Sequence, residues 1–184
     1  MSKLTKRVTY RRKRNGQTNY KKRLKLLLSR RPRLVIRRST NNITLQLVSY
    51  DEAGDKIIVS AHSSELKKIG WKMNTGNIPA AYLTGIMLAK KAKDKKVGEV
   101  VVDIGLNTPS KGSRIFAALK GAVDNGLNTP HTEDRFPDDM AIKGQKIKDY
   151  FDSIKEAGKQ FAKYKENKID VLKQFEEIKN KLMK

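Results

Sequence analysis

The sequence predicts a mixed two-layer α/β fold, with a β-β-β-α-β-α core, a basic N-terminal arm that carries a short helix, and a C-terminal helical extension. Apolar residues alternate with polar ones in short segments between residues 34 and 61, which is typical of half-buried strands. Two segments with helical periodicity follow, one on each side of the apolar run Val100–Ile104. This order of elements predicts helices packed on a mixed sheet around one core.

The first three strands are predicted from apolar patterning. Leu34–Ile36 is a short apolar run, and Ile43–Leu47 alternates apolar and polar residues. Asp51–Asp55 predicts a hairpin loop, and Lys56–Ala61 predicts the returning strand. Because the links between them are short, we expect these strands to pair antiparallel.

Two helices are expected to pack on this sheet. Asn77 can cap the first helix, which ends in a lysine-rich stretch. The second helix is predicted to start near Ser113 and to end at Asn125-Gly126, a pattern typical of helix C-termini. The fourth strand lies between them, so the β-α-β crossover should be right-handed.

The composition of the chain predicts three parts. Residues 1–33 are expected to form the basic arm, residues 34–127 the α/β core, and residues 128–184 a loop followed by the helical extension. Residues 128–150 hold few apolar side chains, so we expect a surface connection there.

A long C-terminal helix is predicted from Ser153, which has capping-box spacing to Glu156. A bend or break is expected at Gly158 or near Asn167. The apolar stripe of this helix has two interpretations, docking to a partner or packing against the protein's own core.

The composition argues against several function classes. The chain has 184 residues, no cysteine and two histidines, so it offers no disulfide framework, cysteine zinc site or thiol nucleophile. No apolar run approaches the about 20 residues that a membrane span needs, and no signal-peptide pattern follows the basic N-terminus. We therefore expect no cofactor, no metal site and no membrane partner, and a cytosolic or nuclear location.

The positive charge is concentrated at the N-terminus. Lys and Arg number 41 against 19 Asp and Glu, a net charge of +22, and +16 of it falls in residues 1–40, which hold no acidic residue. Crowded like charges repel, whereas binding to a polyanion releases its counterions, so the arm is predicted to bind nucleic acid. The arginine fork matches phosphate, and Tyr10 and Tyr20 can stack on bases.

A basic amphipathic helix is predicted within the arm, over Thr18–Ser29. Tyr20, Leu24, Leu27 and Leu28 fall at helical spacing among lysines. The alternatives for the arm are a solvated tail or localisation signal, and docking of the apolar face on an anionic membrane. The segment upstream supplies few apolar anchors, which argues against the membrane.

Three groups of residues are candidates for RNA contact: the arm, the turn from the first strand to the second, and Gly105–Arg114. The strand turn mixes charge with amide groups, which suits contacts to the RNA backbone, the 2′-OH and base edges. Gly105–Arg114 precedes a helix N-terminus, which attracts phosphate, although the P-loop pattern is absent. An ordinary connection is the alternative for both loops. The candidates are Arg7, Tyr10, Arg11, Arg12, Arg14, Tyr20, Lys21, Arg23, Arg30, Arg31, Arg33, Arg37, Arg38, Ser39, Asn41, Asn42, Lys111, Ser113 and Arg114.

Other residues with chemical potential favour structural roles. Trp71 is expected to pack in the core rather than stack on a base. His62 is followed by two serines, but no orienting acid is evident, so a catalytic triad is not expected. Asp138-Asp139 could bind a metal ion, although solvation or pairing with the protein's own basic face is favoured. No general base, metal cluster or cofactor loop stands out, so we do not expect an enzyme.

Several segments resemble one protein family, in the family's order. They are Tyr20–Leu27, Arg31–Asn42, Ala61–Leu66, Gly70-Trp71, Thr75–Gly85, Asp103–Pro109 and Gly112–Leu127. This set resembles the large-subunit ribosomal protein L-eighteen family, which includes eukaryotic ribosomal protein L-five, and covers roughly residues 10–131. The length and the segment beyond the second helix resemble the archaeal form. Thr129 departs from the family pattern, in which an apolar residue is expected before Pro-His.

The resemblance implies a structural component of the large ribosomal subunit in the cytoplasm. Family members bind 5S rRNA and help attach it to the large-subunit rRNA in the central protuberance, beside neighbouring ribosomal proteins. The basic arm and one side of the α/β body are implied to contact RNA. From the residues alone, an RNA-processing enzyme with a basic arm is the alternative, whereas a sequence-specific DNA binder would need a recognition helix or zinc motif.

Overall fold

Four strands form one mixed sheet in the computed structural model, which describes residues 8–153 and 170–183. The strands are β1 (Arg33–Arg38), β2 (Ile43–Ser49), β3 (Lys56–His62) and β4 (Val101–Asp103), in the spatial order β3-β2-β1-β4. β2 pairs antiparallel with β1 and β3, and β4 runs parallel to β1. The predicted α/β class and the antiparallel pairing of the first three strands are confirmed.

The two faces of this sheet have different surroundings because side chains alternate along each strand. Leu34 and Ile36 of β1 are fully buried, as is Leu45 of β2, and they face the helices. Arg33 and Arg37 of β1 lie on the opposite face, which we call the open face.

Two helices cover the buried face, α4 (Ile78–Asp94) and α5 (Arg114–Asp124), with the short helix α3 (Leu66–Ile69) before them. The Asn77 side chain caps α4 by accepting from the Ala80 amide at 2.9 Å, as predicted. The two helices meet at Gly85, where a Cβ atom would stand 2.1 Å from the carbonyl oxygen of Ala118. This contact requires glycine, because no larger residue leaves room for it.

The C-terminal part contains α6 (Asp139–Lys143), α7 (Gln145–Ser153) and α8 (Val171–Met183). Phe175, Ile178 and Leu182 of α8 belong to the main hydrophobic core, so within the described residues the apolar stripe packs on the protein's own body. Residues 128–150 are more than a surface connection, because Ala141 and Ile142 are buried.

The predicted helix start at Ser153 is wrong. Ser153 already lies within α7, and that helix begins directly after Gly144, whose φ of +89° ends α6. The capping-box pattern was misleading because an upstream turn with left-handed glycine sets the helix start. Glu156, Gly158 and Asn167 lie outside the described residues.

The arm contains α1 (Arg11–Arg14) and α2 (Tyr20–Leu27), so the predicted helix is present in shorter form. The apolar residues that indicated this helix differ in burial, and Tyr20 is partly buried. Leu26 and Leu27 are partly buried, whereas Leu24 and Leu28 are 62% and 72% exposed. α2 lies beside a sheet face that carries Arg33, Arg37 and Gln46, so only part of its apolar face is covered.

No helix among the described residues has the length and apolar character needed to cross a membrane.

Candidate nucleic-acid interface

A groove of about 790 Å³ lies between the arm and the open face of the sheet. One wall is formed by α2 and the residues before it, and the floor by β1 and β2. Five of its lining side chains are cationic: Arg12, Lys22, Arg23, Arg33 and Arg37. Only two acidic residues, Asp55 and Asp103, line it within the described part of the chain, so the groove carries a net positive charge.

Asp55, which directly precedes β3, holds the arm over the groove. One carboxylate oxygen accepts from Arg23 Nη2 of α2 at 2.9 Å, and the other accepts from Arg33 Nη2 of β1 at 2.6 Å. Partial burial raises the pKa of Asp55, but the hydrogen bonds from Arg33 and Arg23 outweigh it, and the net pKa lies below the usual value. The carboxylate is therefore ionised at neutral pH and joins helix to sheet.

Asp103 occupies the other end of the groove floor. Its carboxylate accepts from Arg33 Nη1 at 3.0 Å and from Arg37 Nη2 at 3.2 Å. The Lys22 ammonium reaches across from α2 to the carbonyl of Gly105 at 3.0 Å. The α2 helix is thus anchored to the body at both ends of the groove.

The arm presents aromatic and cationic side chains together. The rings of Tyr10 and Tyr20 lie 5.2 Å apart between centroids, with an interplanar angle of 49°. The Arg12 Nε donates to Thr18 Oγ1 at 2.9 Å, which ties α1 to the start of α2. This arrangement can offer a stacking surface beside phosphate-binding cations.

A second group of candidates meets at one end of the sheet, where the β1–β2 turn approaches the loop after β4. Arg38 Nε donates to Asn107 Oδ1 at 3.1 Å across this junction. Arg114 Nη1 donates to the carbonyls of Gly76 at 2.7 Å and Thr40 at 3.2 Å. We call residues 38–42, 105–107 and 114 the loop cluster. It exposes amide and guanidinium groups suited to base edges and 2′-OH groups.

The side chain of Asn42 faces inward within this cluster. Its Oδ1 accepts from Thr75 Oγ1 at 2.7 Å and from Ser63 Oγ at 3.2 Å. Arg37 and Arg38 belong to β1 rather than to the turn, which corrects the predicted boundary of that loop. The β1 strand extends further because its last residues pair with Ile43 and Thr44 of β2.

The predicted contact residues differ in accessibility. Tyr20, Arg23, Asn42, Ser113 and Arg114 are partly buried, and Arg33 is 3% exposed with both of its terminal nitrogens on carboxylates. Arg7 lies outside the described residues. The exposed candidates are Tyr10, Arg11, Arg12, Arg14, Lys21, Arg30, Arg31, Arg37, Arg38, Ser39, Asn41 and Lys111.

Arg31 and Arg33 both form ion pairs with carboxylates, but they differ in their accessibility to a ligand. Arg31 forms an exposed ion pair with Glu99. Arg33 is buried between its two carboxylate partners and has no route to a phosphate in this arrangement. Arg33 is therefore part of the groove floor, and we do not propose it as an RNA contact.

Sequence reasoning missed Asp55, Asp103 and Lys22 as parts of the site. Asp103 is followed closely by Gly105 at the end of a buried strand, a local signal of a polar residue at a sheet edge. No local signal identified Asp55, because its role depends on β3 and α2 meeting across the sheet.

The remaining candidates have structural roles. Trp71 is 2% exposed and donates from Nε1 to the Asn74 carbonyl at 3.1 Å, which confirms the packing interpretation. His62 Nδ1 accepts from the Ser64 amide at 3.2 Å in a capping box of the 3₁₀ turn Ser63–Glu65. Asp138 and Asp139 pair with lysines, and the hydrogen bond from Lys120 lowers the pKa of Asp139.

Comparison with known proteins fits this architecture. The family model described as ribosomal large subunit proteins 60S L5 and 50S L18 matches residues 5–100 and 90–132. The large ribosomal subunit protein uL18 of Methanococcus maripaludis is 48% identical over 184 residues, covering 96% of this chain and 95% of that protein.

The chain belongs to the L18/L5 family of large-subunit ribosomal proteins. Its resemblance to the archaeal form is confirmed by the near full-length match to the methanogen protein. As a member of the L18/L5 family it is a structural constituent of the ribosome and not an enzyme, and it is located in the large subunit in the cytoplasm. Its partners are rRNA and other ribosomal proteins.

Proposed function

We propose that this chain binds 5S rRNA and helps attach it to the large-subunit rRNA in the central protuberance. The observation that carries the proposal is the groove between the arm and the open face of the sheet, with the net positive charge of its lining. A groove whose lining carries a net positive charge attracts a polyanion, and each phosphate contact adds counterion release. The L18/L5 family membership supports RNA as the polyanion.

The arm is proposed to supply the sequence-independent part of the binding. Residues 1–40 carry +16 of the net charge of +22. Within this segment, Arg11, Arg12 and Arg14 are exposed on α1. Tyr10 and Tyr20 lie beside these cations, where unpaired bases could stack. Because α2 is anchored through Asp55 and Gly105, we propose that the part of the surface on α2 is held in place before RNA binds.

The loop cluster is proposed to supply the specific part. Ser39 and Asn41 are exposed there beside Arg38, and such side chains read base edges and 2′-OH groups. Lys111 and Ser113 precede α5, whose N-terminus favours phosphate. The arm alone should bind RNA with little selectivity, since phosphate contacts position but do not specify.

The rest of the chain is proposed to face the other components of the subunit. We propose that residues 1–33 act as the RNA-binding arm and residues 34–127 as the α/β core, with residues 128–184 as a helical extension. In the described part of the extension, α8 packs into the core through Phe175 and Ile178. Its exposed side is then available to the large rRNA or to neighbouring ribosomal proteins.

Competition binding tests the proposal. Full-length protein is titrated with labelled 5S rRNA at several salt concentrations, in the presence of excess tRNA. We expect tight binding that survives the tRNA and weakens steeply with salt. If tRNA abolishes the binding as effectively as unlabelled 5S rRNA does, the assignment to 5S rRNA fails.

A further inference from the structure

Asp103 is a nearly buried carboxylate at the end of β4, on the floor of the groove. It is 7% exposed and accepts from Arg33 Nη1 at 3.0 Å, Arg37 Nη2 at 3.2 Å and the Gly105 amide at 2.8 Å. Burying a carboxylate is costly unless hydrogen bonds to charged or backbone donors compensate. Two of these contacts come from β1 and the third from the loop after β4, so this one acidic group joins the end of β4 to both.

The contacts of Arg37 fix its guanidinium in one orientation. Nη1 donates to the carbonyls of Ile36 at 2.9 Å and Asp103 at 2.7 Å, in addition to the Nη2 bond to the Asp103 carboxylate. Within the described residues, three of its five N–H donors are engaged in this way, which leaves two for a phosphate. The side chain is 45% exposed, so this preformed fork faces the groove.

Gly105 completes the arrangement. Its φ is +63°, and a Cβ atom there would stand 2.8 Å from Arg37 Cζ, so the guanidinium packs directly on the glycine. The Asp103 carboxylate accepts a hydrogen bond from the Gly105 amide, and the Gly105 carbonyl accepts one from the Lys22 ammonium of α2. Two residues further on, Asn107 accepts from Arg38. Asp103 therefore sits where the groove and the loop cluster join.

We infer that Asp103 is a positioning residue for RNA binding, which holds Arg37 and the loop after β4 in the geometry that receives a phosphate. The inference rests on the proposed function, because it assigns a role within the same surface. An acidic residue would then strengthen binding to a polyanion through the cation that it orients. A preorganised arginine binds better than a mobile one because less side-chain entropy is lost on binding.

The inference is tested by whether the Asp103→Asn variant binds 5S rRNA more weakly or more tightly than the native protein. Removing a negative charge from the groove strengthens RNA binding if only the overall charge matters. We expect the opposite, a 5S rRNA affinity about tenfold weaker and a smaller salt slope, because a charged hydrogen bond that orients a phosphate contact is lost. The matched control is Glu52→Gln, which removes an exposed charge from the β2–β3 turn and should leave the affinity unchanged or slightly raised.

A double-mutant cycle separates positioning from a general loss of structure. If Asp103 acts through Arg37, adding Asp103→Asn to Arg37→Gln should reduce the affinity and the salt slope no further than Arg37→Gln alone. Additive losses, or Asp103→Asn binding as tightly as the native protein while folded, would overturn the inference.

If the Asp103→Asn variant does not fold, the Arg37→Lys variant tests whether the orientation of the Arg37 side chain contributes to RNA affinity. Lysine keeps the charge but cannot make the forked contacts, so we expect weaker binding despite an unchanged net charge. Native affinity in Arg37→Lys would contradict the inference. If the native protein binds tRNA and 5S rRNA equally, the proposed function fails, and these variants still test positioning through their affinity for either RNA.

Discussion

Asp55 and Arg23 join the basic arm to the body of the protein, with 2.9 Å between Asp55 Oδ1 and Arg23 Nη2. The same carboxylate accepts from buried Arg33 at 2.6 Å through its other oxygen. One acidic residue thus offsets repulsion between two arginines of the basic segment and places α2 above the open face. The protein's own acid therefore orders part of a segment whose charge alone would favour a solvated chain.

Asp55→Asn should make the protein less stable at neutral pH, by an amount that shrinks in acid. A carboxyl whose pKa is lowered by folding stabilises the protein above its unfolded pKa of about 3.9, and this contribution disappears as pH falls through the folded value. We expect a loss of about 1–3 kcal/mol at pH 7. Thermal unfolding of both proteins between pH 7 and pH 3 measures it, with Glu52→Gln as the control. A difference that stays constant across that range would contradict the proposed charge dependence.

Removing residues 1–30 should weaken 5S rRNA binding and flatten its salt dependence, because this segment holds most of the exposed arginines of the arm. The cut leaves Arg33 in place, and with it the contacts to Asp103 and Asp55 that support β1. Filter binding across a salt series gives the slope, and circular dichroism checks that the body is folded. An unchanged slope in the folded truncated protein would remove the arm from the contact surface.

Arg33 and the arginines of α1 should affect different properties. Arg33→Met leaves two carboxylates on the groove floor with fewer partners and should destabilise the fold by about 3 kcal/mol.

Replacing Arg11 and Arg12 together by glutamine should leave the melting temperature nearly unchanged and lower the salt slope of RNA binding by about two. Lys90 and Lys95, exposed on and just after α4, provide the control pair with the same loss of charge. Equal effects of the two pairs on RNA binding would show that only net charge matters.

Gly85→Ala should destabilise the protein through the contact between α4 and α5. Its added methyl group would stand 2.1 Å from the Ala118 carbonyl oxygen, so the helices must separate, at a cost of about 1–3 kcal/mol or more. Gly98→Ala is the matched control, because nothing lies within 4 Å of a Cβ atom at that position. Equal melting temperatures of the two variants would show that the helices tolerate the extra volume.

The order of the core elements could be predicted from the sequence because it depends on local patterns. The alternation in Ile43–Leu47 and the cap at Asn77 identify a strand and a helix without knowledge of their neighbours. The helix start at Ser153 could not be predicted in the same way. A serine three residues before a glutamate is a pattern that also occurs by chance. The helix that contains Ser153 begins upstream, directly after the turn at Gly144.

The site was less predictable because its geometry depends on residues distant in the chain. Arg33 belongs to a run of basic residues that look alike in the sequence, and its burial follows from the parallel pairing of β1 with β4, which brings Asp103 to it. The exposure of Leu24 follows from a polar sheet face beneath α2, which helical periodicity does not reveal. Local sequence thus indicated the kind of ligand better than the role of each residue.

Photo-crosslinking from the floor of the groove shows whether RNA occupies the space between the arm and the sheet. Gln46 of β2 lines the groove, and a photo-crosslinking amino acid at this position would touch any RNA that enters. With equal amounts of 5S rRNA and tRNA present, we predict crosslinks to 5S rRNA from position 46 and few from position 90, which lies on α4 in the layer that covers the other face of the sheet. Crosslinks to RNA from position 90 with none from position 46 would show that RNA binds outside the groove and would contradict the proposed interface.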